Sequence, residues 1–223
     1  AKCPVKIPDE YNEGLTKTKC IRIPFPQAVP AVAIIDKDSC IFHQRGKCRI
    51  CEKFCEVNAI DFNQKEELLH LEAGSIILAA GLSEFDAVLK DEYGYKTFPN
   101  VVTSIEFERL LSASGPTHGH ILRPSDGKEP KKIAFIQCVG SRDAQIGNEY
   151  CSAICCMQAA KDAIILTEHL TGVETSVFCM DVRAYGKNFD AFIDRAESHH
   201  NTKFIRARIS SVEIDPYNDN LII

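Results

Sequence analysis

The residues of this chain whose type and spacing could do chemistry are its cysteines, eleven among 223 residues, against two methionines and no tryptophan. Nine of them fall into two constellations. The first is Cys40, Cys48, Cys51 and Cys55, in the text CIFHQRGKCRICEKFC, together with Cys3. Cys48, Cys51 and Cys55 have the C-x2-C-x3-C spacing of bacterial ferredoxin motifs, in which a tight loop turns successive thiolates inward onto an iron–sulfur cube. Seven residues separate Cys40 from Cys48, so a longer loop, turned at Gly46, must bring Cys40 back. In two-cluster runs the fourth cysteine ligates the other cluster and is followed by proline. Cys3-Pro4 reads as the end of such a run. Cys3, Cys40, Cys48 and Cys51 are therefore expected to share one [4Fe–4S] cluster, with Cys55 turned toward a second; Glu56 stands where a proline is usual. A zinc site and a set of unliganded thiols are the alternatives, but zinc ribbons pair two separated CxxC hairpins, and only one CxxC occurs here.

The second constellation is Cys138, Cys151, Cys155 and Cys156, in CVGSRDAQIGNEYCSAICCMQAAKDA. Cys138 is expected to end a strand, and Cys151 and Cys155 to lie one turn apart at the start of the following helix, with Cys156 beside them. The four would meet at the carboxyl edge of a parallel sheet, where doubly wound folds place ligands, and the helix N-terminus would favour thiolates. A dinucleotide site would carry G-x-G-x-x-G in this connection, which offers only Gly140 and Gly147. The competing readings are a pair of buried thiols on a core helix and a vicinal redox dithiol at Cys155 and Cys156. Cys20 and Cys179 read as buried structural thiols. His43 is surplus to four thiolates, His199 and His200 compensate a helix dipole, and Arg183, Tyr185 and Lys187 face a partner or solvent.

The elements that must position these groups follow from periodicity. With 45% apolar and 26% charged residues the chain is globular rather than disordered. A net charge of −5 with no basic stripe gives no footprint for nucleic acid. No run approaches the roughly 18 apolar residues of a membrane span. An odd cysteine count argues against a disulfide framework and for reduced thiols in a cytoplasm. Residues 1–66 read as a small loop-rich unit, 67–125 as a second part, and 126–223 as a third. Leu68 to Gly81 (LLHLEAGSIILAAG) reads as a strand pair ending in a buried strand, and Ser104 to Leu111 as a short capped helix. The Ser-, Gly- and Pro-rich stretch 112–132 reads as an interdomain linker. Strands at Lys132 to Cys138 and Glu174 to Met180, helices at Ser152 to Leu170 and Phe189 to His199, and a third strand or strand pair over Lys203 to Ile214 predict a parallel α/β sheet.

The strings IPFPQAVP (Ile23 to Pro30), FERLLSASGPT (Phe107 to Thr117), RPSDGKEPKKIAFIQCVGSRD (Arg123 to Asp143), YCSAICCMQAAKDA (Tyr150 to Ala163) and MDVRAYGKNFD (Met180 to Asp190) resemble the A-type, iron–sulfur flavoprotein subunits of heterodisulfide reductase (HdrA-like proteins) and their bacterial relatives, along essentially the whole chain. The resemblance implies an α/β fold in which a ferredoxin-like (α+β) insert is followed by part of a thioredoxin-reductase-like, doubly wound flavoprotein. It implies a further [4Fe–4S] cluster on Cys138, Cys151, Cys155 and Cys156, and FAD in the intact protein. Gly74 to Gly81 is similar to the ATG-type strand of flavoprotein disulfide reductases, making Ala79, Ala80 and Gly81 the flavin-side candidates. It further implies an internal fragment of an oxidoreductase component, inactive alone, from an anaerobe's cytoplasm. The implied function is single-electron transfer between flavin and [4Fe–4S] clusters, as in flavin-based electron bifurcation, alongside other heterodisulfide-reductase-type subunits and a hydrogenase or dehydrogenase that feeds in electrons. A zinc-stapled interaction module and a thiol–disulfide oxidoreductase are the rivals.

Overall fold

The computed structural model of the chain describes residues 2–223, and the chain divides after Ser83 into two compact units. Each is mixed α and β, and each is described by itself.

In the first unit, strand β1 (Lys6–Pro8) pairs antiparallel with β2 (Lys17–Lys19), Ile7 opposite Thr18. The intervening turn is closed by Asp9, whose backbone N–H donates to the Thr16 carbonyl at 2.9 Å and whose carboxylate accepts from the Asn12 side chain at 2.8 Å. A second antiparallel pair joins β3 (Ile21–Arg22) to β4 (Ile34–Ile35). Two single-turn helices follow, α1 (Ile41–Arg45) and α2 (Ile50–Lys53). Gly46 ends α1 in the left-handed region at φ +65°, a conformation glycine adopts without steric cost. The helices are fastened by side chains: the Phe42 and Phe62 rings lie 4.2 Å apart, and the Arg49 guanidinium stands 5.4 and 5.5 Å from their centroids. Among the described residues of this unit only Ile7, Cys20, Ala28 and Phe62 are buried hydrophobics. A core this small holds a loop-rich unit weakly, and such units commonly depend on metals or disulfides.

The strand pair expected over Leu68 to Gly81 does not form. Residues 64–83 contain no helix or strand, and Ile76, Ile77 and Leu78 are 81%, 91% and 90% exposed. An apolar run records a preference for burial, but a strand exists only where a neighbour accepts and donates its ladder hydrogen bonds. Among the described residues no strand pairs with this one.

The second unit is organised around a three-stranded parallel sheet. Helix α3 (Ser104–Leu111) comes first, with the bounds its sequence predicts. Its capping box is complete: the Thr103 hydroxyl accepts from the Glu106 amide at 3.3 Å, and the Glu106 carboxylate accepts from the Thr103 amide at 2.8 Å. Then come β5 (Lys132–Ile136), α4 (Cys155–His169), β6 (Glu174–Cys179), α5 (Phe189–Ser198) and β7 (Lys203–Arg206), in sheet order β5-β6-β7. Phe135 lies opposite Val177, and Val177 opposite Phe204. Ala160 and Ile164 of α4 meet Ile193 and Ala196 of α5 in one core, with Phe204 packed against it. The small side chains let the two helices approach closely.

The third strand is shorter than expected, because β7 ends at Arg206 and the chain continues to a separate hairpin, β8 (Glu213–Ile214) with β9 (Leu221–Ile222). The stretch 112–132 is a loop within this unit rather than a linker. Ile121 is 3% exposed, Arg123 donates to the Asn218 carbonyl at 2.9 Å, and the Phe107 and Phe135 rings that flank the loop meet edge to face at 5.5 Å. No described helix is long and apolar enough to cross a membrane.

Candidate metal centres

In the first unit the cysteines are carried by the hairpin ends and the short helices. Cys3 precedes β1, where Lys19 of β2 donates to its carbonyl at 2.7 Å. Cys40 caps α1, its amide donating to the Asp36 carbonyl at 3.0 Å. Cys48 adopts φ +80° just before α2, Cys51 lies within α2, and the Cys55 sulfur accepts from the Ala59 amide at 3.2 Å. Cys3, Cys40 and Cys51 are close enough to feel one another: burial pushes the Cys51 thiol upward, and the Cys40 and Cys3 charges add to it.

Cys20, read from sequence as an unconnected buried thiol, belongs to this neighbourhood. It is 1% exposed and donates to the Asp36 carbonyl at 3.2 Å. Burial, with Cys40 and Cys3 next in effect, pushes its pKa up to about 12. No local spacing signals this placement, which follows from the β3–β4 pairing that brings the Asp36 amide to the Cys20 carbonyl at 2.9 Å. His43 packs against the Phe42 and Phe62 rings at 5.7 and 5.9 Å, an aromatic rather than a ligand role.

In the second unit the connection from β5 to α4 is a folded loop. Gln137 extends the ladder by donating to the Phe178 carbonyl, after which Cys138 turns at φ +61° and Gly140 at φ +75°. A Cβ on Gly140 would stand 2.0 Å from the Phe85 ring, so the site requires glycine. Asp143 anchors the loop from beneath: it is 1% exposed, pairs with Lys90 at 2.8 Å and Arg208 at 3.0 Å, and caps the Gln145 amide at 3.1 Å. The Lys90 ammonium holds its carboxyl below the ordinary carboxylate range. Asn148 closes the loop by donating to the Gly140 carbonyl at 3.0 Å.

Cys138, Cys155 and Cys156 are close enough to act on one another's ionisation: Cys138 and Cys156 favour the Cys155 thiolate, while Cys155 and burial push the Cys138 and Cys156 thiols upward. Cys151 corrects the expectation of a helical position: α4 begins at Cys155, and Ala153 at φ +63° keeps Cys151 in the loop before it. The Cys151 sulfur accepts from the Ala153 amide at 3.3 Å. Of Arg183 and Tyr185, left between partner and solvent by the sequence, Tyr185 faces a cysteine, its hydroxyl lying 3.9 Å from the Cys151 sulfur, while the Arg183 guanidinium donates to that hydroxyl at 3.1 Å.

Cys179 is 4% exposed in β6 and its thiol is raised by burial, as a structural cysteine should be. His199 caps the C-terminal end of α5, and His200 shares a 2.8 Å hydrogen bond with the Thr167 hydroxyl. Ala79, Ala80 and Gly81 lie in the exposed, unpaired segment and form no cradle for a flavin among the described residues. Also among the described residues, no three Cys, His, Asp or Glu side chains converge on a single-ion site.

No family model matches the chain. It is 47% identical over its whole length to the CoB--CoM heterodisulfide reductase iron-sulfur A-type subunit of Methanocaldococcus jannaschii, covering 33% of that protein. It is 45% identical over 96% of its length to the A-type subunit of the H(2):CoB-CoM heterodisulfide,ferredoxin reductase of Methanothermobacter marburgensis, covering 32% of it. It is 41% identical over 94% of its length to the A-type subunit of the Ferredoxin/F(420)H(2)-dependent CoB-CoM heterodisulfide reductase of Methanosarcina acetivorans, covering 26% of it. The chain thus spans about a third or less of the curated relatives it matches. From end to end it is similar to one stretch of those longer A-type subunits of heterodisulfide reductase.

Proposed function

We propose that this chain holds [4Fe–4S] clusters and relays single electrons within a heterodisulfide-reductase-type, flavin-based electron-bifurcating enzyme. The observation that carries the proposal is that Cys138 closely follows a parallel strand and Cys155 and Cys156 open the next helix, with Cys151 on the loop that joins the two elements. A [4Fe–4S] cluster supplies one-electron storage at a potential set by ligand charge, hydrogen bonds to sulfur and exposure.

Two features of the chain fit such a group. Cys48 and Cys138 both adopt left-handed backbone, which costs a non-glycine residue roughly 1–2 kcal/mol. Strain of this kind persists where surrounding structure fixes it, commonly at functional sites. Backbone amides also donate to sulfur at Cys55 and Cys151, supplying the dipoles that thiolates need. On this reading Cys138, Cys151, Cys155 and Cys156 form one ligand set and Cys3, Cys40, Cys48 and Cys51 another, with Cys55 serving a second ferredoxin-type cluster. Residues 1–66 would be a ferredoxin-like insert, 67–125 a flavin-side segment carrying Ala79, Ala80 and Gly81, and 126–223 part of a thioredoxin-reductase-like fold.

The names of the relatives support a reductase complex fed by hydrogen, formate or ferredoxin. We extend this to a cytoplasmic assembly with sister heterodisulfide-reductase subunits plus a hydrogenase or dehydrogenase. A second reading, thiol–disulfide exchange at Cys155 and Cys156, is favoured by the stabilised Cys155 thiolate. Anaerobic reconstitution with iron and sulfide separates the two. A cluster reading predicts acid-labile sulfide and a reduced-state EPR signal, part of which is lost in Cys138→Ser. Dithiol chemistry predicts that Cys138→Ser keeps the exchange activity, and zinc without labile sulfide would point to a structural staple.

A further inference from the structure

We propose that Tyr185 sets the reduction potential of the second cysteine centre by donating its phenolic O–H to the Cys151 sulfur, and that Arg183 and Asp181 position it. The inference rests on the cluster reading of Cys138, Cys151, Cys155 and Cys156, and adds to it a residue outside the ligand set.

The geometry comes from the loop after β6. Asp181 receives both ends of the Arg142 guanidinium and, at 3.2 Å, the Nε of Arg183. Held in this way, Arg183 sends Nη1 to the Tyr185 hydroxyl at 3.1 Å. The phenolic oxygen is thereby used as an acceptor, which strengthens its O–H as a donor. The sulfur of Cys151, 3.9 Å away, is the acceptor it faces. Backbone of the same loop bears on a second thiol, with the Asp181 carbonyl 3.9 Å from the Cys156 sulfur. One loop therefore reaches two of the four sulfurs.

The ring of Tyr185 is 64% exposed, so packing does not account for it. Tyr185→Phe accordingly removes the hydroxyl and little else. An electron added to a thiolate-held cluster increases the negative charge on its sulfurs, and a donor to sulfur favours that reduced state. Losing the donor must lower the potential.

The test is an EPR-monitored redox titration of the full-length, cluster-loaded protein, following the signal that Cys138→Ser abolishes. Tyr185→Phe should retain iron and sulfide in full and shift this midpoint to more negative potential, by up to about tenfold in the reduction equilibrium, or 59 mV for one electron. Arg183→Lys, which cannot span Asp181 and the phenol as a fork, should shift it in the same direction by less. An unchanged midpoint at full iron content overturns the proposal and leaves the cluster reading standing. Loss of iron in Tyr185→Phe also overturns it, because the residue would then be holding the centre rather than tuning it. A parent protein with no signal sensitive to Cys138→Ser overturns the cluster reading and the proposal together.

Discussion

Asp162 is the residue whose ionisation should weigh most on stability. It lies on α4 two turns beyond Cys155, is 0% exposed, and neither carboxylate oxygen has a hydrogen-bond partner. Lys161 Nζ stands 3.3 Å from Oδ1, near enough to attract but not aligned to donate, and it also serves Glu108. Burial therefore outweighs the attraction, and the carboxyl is pushed up to about 7 from its ordinary 3.8. Each tenfold in proton affinity is about 1.4 kcal/mol, so the charged form costs the folded state about 4 kcal/mol. The sign follows from linkage. Below pH 4 the folded and unfolded chains both hold the proton, and there is no penalty. Between pH 4 and 7 the unfolded chain releases it while the folded chain keeps it, so stability falls as pH rises. Asp162→Asn cannot ionise and escapes that slope. Urea unfolding of parent and variant in the same anaerobic, cluster-loaded form, followed by circular dichroism, should show the parent losing about 3 kcal/mol relative to the variant between pH 5 and 8. Parallel pH dependences, or a variant less stable than the parent at pH 8, would show that Asp162 carries no such penalty.

Gly140→Ala should strip iron from the second centre while leaving far-ultraviolet circular dichroism nearly unchanged, because the new methyl would meet the Phe85 ring at 2.0 Å and displace the cysteine loop; iron analysis checks it. Leu166→Ala, at a 0% exposed position of α4, should cost about 2–5 kcal/mol in the unfolding transition of that unit. Thr103→Ala removes the cap of α3 and should cost about 1 kcal/mol in the same assay. Cys20→Ala should leave iron and sulfide content at the parent value, since its thiol is occupied by the Asp36 carbonyl; a loss of iron would make Cys20 a ligand.

What can be read from the sequence is whatever neighbouring residues encode. The Ser104 to Leu111 pattern of Ser, Glu and apolar residues at helical spacing marks α3, though its N-cap is Thr103, and the alternation of apolar runs with amphipathic stretches yields β5-α4-β6-α5-β7 in parallel order. Cys138 at a strand end and Cys155 and Cys156 at a helix start come into one neighbourhood because a single loop joins the two elements. Cys151 falls outside the helix expected for it because Ala153 takes a left-handed turn that alanine's type does not announce. Long-range contacts are invisible in the sequence: Cys20 beside Cys40, and Lys90 and Arg208 on Asp143, are made by residues far apart in the chain. The run from Ile76 to Leu78 misleads for the opposite reason, since its hydrophobicity states a need for a partner that no described strand meets.

Whether Cys138, Cys151, Cys155 and Cys156 hold one [4Fe–4S] cluster is decided by iron, zinc and acid-labile sulfide measured on anaerobically purified full-length protein, parent against Cys138→Ser. Such a cluster requires equal iron and sulfide in the parent, little zinc, and a variant that has lost one four-iron cluster's worth of each. Zinc in place of iron, or a Cys138→Ser protein with the parent's full iron and sulfide, would contradict it.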